Sequence, residues 1–149
     1  MEKTDKAINN LTDLSRKGTA IEFFSAYQDL EVDRMIGLCE PEGEIHFLPL
    51  GEGGKGKINE LGKNLWLSLM DCFPDLDNTV TSTSADEEGN VVCDVKIFGT
   101  QAKDFAGIVS KKKKFESDHI FIFHFNEDEK IDRISIDWYH QSFSQQLGA

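Results

Sequence analysis

Basic residues are in short supply in this chain. Sixteen lysines and arginines stand against 27 aspartates and glutamates, and the net charge of −11 repels nucleic acid and anionic lipid rather than attracting them. Neither is expected as a partner. Cysteine is scarce too. Cys39, Cys72 and Cys93 are odd in number, widely spaced and flanked by apolar residues, a pattern that fits reduced cytoplasmic thiols acting as packing residues better than a disulfide framework. Long apolar runs are missing altogether. No segment approaches the ~20 residues of a membrane span, and Met1 to Lys6 has no apolar run behind a basic stretch, so neither membrane insertion nor export is expected.

Phenylalanine, by contrast, is abundant. Eleven of the 149 residues are Phe and 39% are apolar, enough for one core and for burying roughly 70% of the surface that the unfolded chain would expose. The one basic cluster, Lys111 to Lys114, lies between strand-like segments and reads as a solvated hairpin rather than an anion site.

Residues 1–18 are polar without a sustained period and read as a lead-in, with a short helix around Ile8 to Leu14. The domain proper is expected over 19–149. Thr19 and Glu22 form a capping-box pattern ahead of an amphipathic stripe at Ala20, Phe23, Phe24, Tyr27 and Leu30, which predicts a helix beginning there. A shorter helix with Met35, Ile36 and Leu38 should follow and end at Glu40-Pro41-Glu42-Gly43. After a strand at Glu44–Leu48 and a glycine-rich connection, Ile58, Leu61, Leu65 and Leu69 mark a third helix. From Asn78 onward the period is mainly two. Strands are predicted near 78–84, 91–100, 115–125 and 131–139, with turns at 87–90 and 126–129. Helices first and an antiparallel meander after them indicate an α+β fold, whose twisted sheet can curl over the helices and leave room for a small apolar ligand.

Several segments occur in a telling order: Asp29-Leu30-Glu31, Glu44 to Gly51, Phe73-Pro74-Asp75-Leu76, Gly99-Thr100, Asp104 to Ile108, Lys130-Ile131 and Gln146-Leu147-Gly148. Together they resemble the SnoaL-like polyketide (ester) cyclases of the nuclear transport factor 2-like superfamily, over roughly residue 20 to the C-terminus. The resemblance implies a cone of N-terminal helices on a strongly curved, mainly antiparallel sheet. It also implies a hydrophobic pocket, a homodimer through the outer sheet face, and no metal or organic cofactor. The implied chemistry is intramolecular aldol closure, or a related isomerisation or dehydration, in which a pocket carboxylate moves a proton on a small hydrophobic carbonyl substrate. Two signature positions depart from the pattern: Gln101 stands where the cyclases commonly have histidine, and Tyr139 where the acid/base aspartate falls. The nearest carboxylate is Asp137, two residues earlier and on the same strand face.

Candidate catalytic residues are therefore Asp137, Tyr139 and His46, the last resembling a common family position. Tyr27, Trp66, Gln101, Phe105 and His119 are candidate substrate-binding residues. The spacing of the four histidines suggests no metal triad. Two orientations of the last strand stay open. Simple alternation sends Asp137 to solvent and Ile134, Ile136 and Trp138 to the core, whereas the resemblance places Asp137 and Tyr139 in the pocket and leaves the isoleucines and Trp138 to a dimer interface. The non-catalytic alternative, a small-molecule-binding module on the same cone, is motivated by the two replaced signature residues.

Overall fold

The period-two segments of the second half do pair as strands in the computed structural model, which describes the backbone of residues 2–149 and side chains from residue 11 onward. Helix α1 spans Glu2–Gln28 and is followed by α2 (Val32–Ile36), β1 (Cys39–Phe47), a 3-10 segment at Leu48–Gly54, β2 (Lys55–Lys57) and a π turn at Ile58–Gly62. Then come α3 (Lys63–Cys72), β3 (Asp77–Ala85), β4 (Val91–Thr100), β5 (Lys114–Phe125), β6 (Ile131–Trp138) and α4 (His140–Gln146). The six strands form one open mixed sheet in the order β2-β1-β6-β5-β4-β3, so β3 to β6 are the expected meander and β1 joins β6 in parallel. The result is the expected α+β architecture.

Two boundaries differ from the sequence reading. Thr19 does not cap a helix: its hydroxyl donates to the Ser15 carbonyl at 3.2 Å, four residues back inside a continuous α1. The extension is tied down by Arg16, whose guanidinium donates to both Glu129 carboxylate oxygens (3.0 and 2.7 Å) and to the Gly89 carbonyl (3.0 Å). The side chains of the first ten lead-in residues lie outside the described set. Further on, Glu40-Pro41-Glu42-Gly43 does not end a helix but lies within β1, where the β1–β6 register shifts between Cys39 and Glu44. Pro41 is tolerated there because an irregular stretch has no ladder bond for it to lose.

Further register shifts, between Val80 and Ser82 and between His124 and Phe125, bend the sheet around the helices. On the concave side Phe23 and Phe24 of α1 meet Phe121 and Phe123 of β5, with Phe23 also edge-on to Trp66 of α3 at 5.6 Å. A second aromatic group joins Phe73, Phe105, Phe115 and Phe143 near the C-terminal end. All three cysteines are buried and free, and burial pushes the thiol pKa up to about 12 at Cys39 and about 11 at Cys93, which makes both poor nucleophiles. Lys111 to Lys114 are exposed. No helix of the described residues is long and apolar enough to cross a membrane.

Gly54 closes the 3-10 segment against β1. A Cβ there would collide with the Phe47 carbonyl oxygen, so the loop that carries Leu50 to the cavity rim requires glycine at this point.

Candidate functional site

A cavity of about 90 Å³ lies between the helices and the concave face of the sheet. Its walls are almost wholly apolar. Tyr27 of α1 and Trp66 of α3 form one side, Phe121 and Ile136 of the sheet the other, and Phe105 and Phe143 the far end. Leu50 and Ala106 remain exposed at the rim. The volume is about three-fifths of the ~150 Å³ that accommodates benzene in an engineered cavity. A ligand larger than one small ring would have to protrude or displace rim side chains.

Four of the substrate-binding candidates therefore meet at one site: Tyr27, Trp66, Phe105 and His119 all line the cavity. Gln101 does not. It is fully buried behind the Phe105–Ile108 turn, where its Nε2 donates to the Ile108 carbonyl at 2.8 Å, and its Oε1 has no partner among the described residues. Its role in this geometry is to hold the turn that presents Phe105.

None of the three catalytic candidates lines the cavity. In β6, Ile134 and Ile136 are buried inward and Trp138 follows them to the cavity wall, so Asp137 lies exposed on the outer face beside Asp94 and Asp118. Alternation decides the orientation, because burying three large apolar side chains outweighs burying a carboxylate. Tyr139 is 67% exposed, just beyond the strand end, and its hydroxyl donates to Gln141 Oε1 at 3.0 Å. His46 is half-buried on the outer side of β1, near Glu44, Lys55 and Arg133. The inward isoleucines and Trp138 likewise leave the outer face to other residues.

Among the described residues, Tyr27, His119 and His140 bring hydroxyl and imidazole groups to the cavity. Burial raises the Tyr27 pKa above its ordinary value and keeps the phenol neutral. His119 sits on the inward side of β5, stacked on Trp138 with ring centroids 5.4 Å apart. Desolvation lowers its pKa to about 4, against smaller opposing effects from the Ser117 carbonyl, Asp118 and Asp137, so the ring is neutral near pH 7. His140 is the first residue of α4 and accepts a 3.2 Å hydrogen bond at Nδ1 from the Trp138 indole N–H.

Helix α4 went unread in the sequence, and with it His140 and Phe143. The signal was present in the spacing of His140, Phe143 and Leu147, an i, i+3, i+7 stripe whose last two members are buried. Polar Gln and Ser residues between them hid it. Among the described residues, no group of three or more His, Cys, Asp or Glu is placed to hold a metal ion.

No family model matches the chain, and no curated protein matches it. Solved structures do. AclR, named as a hydroxylase of Streptomyces galilaeus, superposes with a TM-score of 0.78 at 18% identity, over 91% of this chain and 96% of its own. A protein of Jannaschia sp. CCS1 named as a SnoaL-like polyketide cyclase gives 0.78 at 14% identity over 91% and 93%. IdmH of Streptomyces antibioticus, named as a polyketide cyclase, gives 0.74 at 18% over 90% and 99%. Helices, mixed open sheet and near-complete mutual coverage thus agree that this chain has the SnoaL-like α+β fold.

Proposed function

We propose that this protein binds a small apolar molecule in the internal cavity, with His119 accepting a hydrogen bond from the ligand. The carrying observation is the pairing of apolar walls with a neutral imidazole. A ring that takes up a proton only near pH 4 is a weak abstractor of carbon-bound protons but a serviceable hydrogen-bond acceptor, and among the described residues no carboxylate lines the cavity to do the abstraction instead. Binding without turnover is therefore the reading that the geometry favours. Phenol is a suitable probe, since it has one ring and one donor. It should stabilise the protein saturably in thermal unfolding, and His119→Phe should weaken that binding about tenfold, the loss of one hydrogen bond in an apolar site. Absence of any saturable shift with phenol would overturn the proposal.

A second reading, proton-transfer chemistry on a carbonyl substrate as in a polyketide cyclase, is favoured by the names of the structural relatives. Turnover of a polyketide ester would establish it. A loss of that turnover in His119→Gln but not in Asp137→Asn would assign the proton transfer to the cavity rather than the outer face.

Association and location belong to the same proposal. Ile120 and Ile122 of β5 are 44% and 37% exposed on the outer sheet face, and a second copy of the chain covering them would form a homodimer. Sedimentation at micromolar concentration should show a dimer, and Ile120→Lys should shift it to monomer; a wild-type monomer would refute the dimer. The three buried free thiols suit a reducing, cytoplasmic setting.

A further inference from the structure

Trp138 lies between two imidazoles whose hydrogens are set in opposite senses. The Nδ1 of His119 is 3.1 Å from the Ser117 carbonyl oxygen, which can only accept, so the hydrogen of this neutral ring is on Nδ1 and the lone pair on Nε2. At His140 the assignment reverses. The indole N–H of Trp138 can only donate, and it reaches Nδ1 at 3.2 Å, so the lone pair is on Nδ1 and the hydrogen on Nε2. Trp138 stacks on His119 and stands edge-on to His140 with ring centroids 6.0 Å apart, and all three rings line the cavity. His119 and Trp138 are register partners on β5 and β6, which fixes their placement, while the stacking of His140 on Phe143 (5.8 Å, 25°) holds the third ring.

Resting on the reading that the cavity binds a small apolar ligand, we infer that His119 and His140 form a matched acceptor and donor selecting a neutral ring with a hydrogen-bond donor beside a carbonyl, such as a cyclic amide or hydroxy-carbonyl compound. Trp138 is the positioning residue: its N–H keeps the lone pair of His140 on Nδ1 and so leaves Nε2 as the donor of this cavity-lining ring. A ligand with only one of the two groups leaves its counterpart on the protein unpaired in apolar surroundings, which disfavours it by roughly tenfold. The same logic separates this class from plain aromatics, which satisfy neither imidazole.

The test uses the 149-residue chain labelled with ¹⁵N and two probes, phenol and 2-pyridone, the latter carrying N–H and C=O side by side. Long-range ¹H–¹⁵N spectra should show the Nε2–H form for His140 and the Nδ1–H form for His119. Trp138→Phe keeps an aromatic ring but removes the N–H, and it should move His140 toward a mixture of forms while His119 stays unchanged. In both Trp138→Phe and His140→Phe the affinity for 2-pyridone relative to phenol should fall about tenfold. An unchanged ratio, or a His140 signal indifferent to Trp138→Phe, overturns the inference while phenol binding leaves the parent reading standing. If neither probe binds the wild type, the parent reading fails and this inference with it.

Discussion

Replacing Phe23 with alanine should lower the unfolding free energy by about 3–5 kcal/mol, the range for deleting a fully buried aromatic side chain. The ring is 0% exposed and lies where three elements converge, with centroids 5.4 Å from Phe24, 5.6 Å from Trp66 and 5.1 Å from Phe123. Its neighbours are rings in edge-on contact, each already held by others in the cluster, so they cannot collapse into the vacated space. Much of a typical domain's ~5–15 kcal/mol would be lost. Urea denaturation should show a large fall in midpoint with little change in slope. Phe98 offers the internal comparison. It lies half-buried on the outer side of β4, and Phe98→Ala should cost only about 1 kcal/mol. Equal losses at the two positions would mean that the Phe23 cluster is not the centre of the core.

That cluster was legible from the chain alone, because Ala20, Phe23, Phe24 and Tyr27 recur at helical spacing and Phe121, Phe123 and Phe125 at strand spacing. Each period names the face that must be buried. Helix α1's true extent was not legible: Thr19-x-x-Glu22 has the composition of a capping box, and only the Arg16–Glu129 pair, 113 residues apart, shows why the helix continues back past it. Long-range pairs leave no local trace. For the site, the sequence pointed to side chains and left their roles open. Tyr27, Trp66, Phe105 and His119, named as substrate-binding candidates, line the cavity, whereas the family pattern and the alternation of β6 give opposite orientations for Asp137, and the side chain follows the alternation. The pairing of His119 with Trp138 across β5 and β6, and the turn of the chain into α4 that sets His140 beside them, depend on register and on a helix with weak apolar patterning. Neither is written in a motif.

Acid should bear on this protein through His119 before it bears on the carboxylates. Burial holds the folded ring's pKa at about 4, while the same side chain in the unfolded chain takes up its proton near 6.5. Between these values the unfolded state binds more protons than the folded one, so stability rises with pH across the window. Lowering the pH from about 6.5 toward 4 removes stability, and below about 4 the effect levels off. A fully enclosed ring would contribute ~3 kcal/mol over that interval; His119 keeps partial exposure and its charged form is helped by Asp118 and Asp137, so about 1–2 kcal/mol is expected. The lowered carboxylates, Glu42, Asp75 and Asp86, act in the same direction but in a lower window, because their unfolded values are 4.5, 3.8 and 3.8. Urea titrations at pH 7, 6, 5 and 4.5 should therefore show a decline that His119→Gln removes. Phenol affinity gives an independent reading of the same ring. An acceptor that stays neutral to about pH 4 should bind phenol equally at pH 7 and pH 5, whereas a histidine with an ordinary pKa would have lost most of its acceptor form by pH 5. A tenfold loss of phenol affinity between pH 7 and pH 5 would show that His119 is hydrated rather than enclosed, and the donor-accepting role assigned to it would fall.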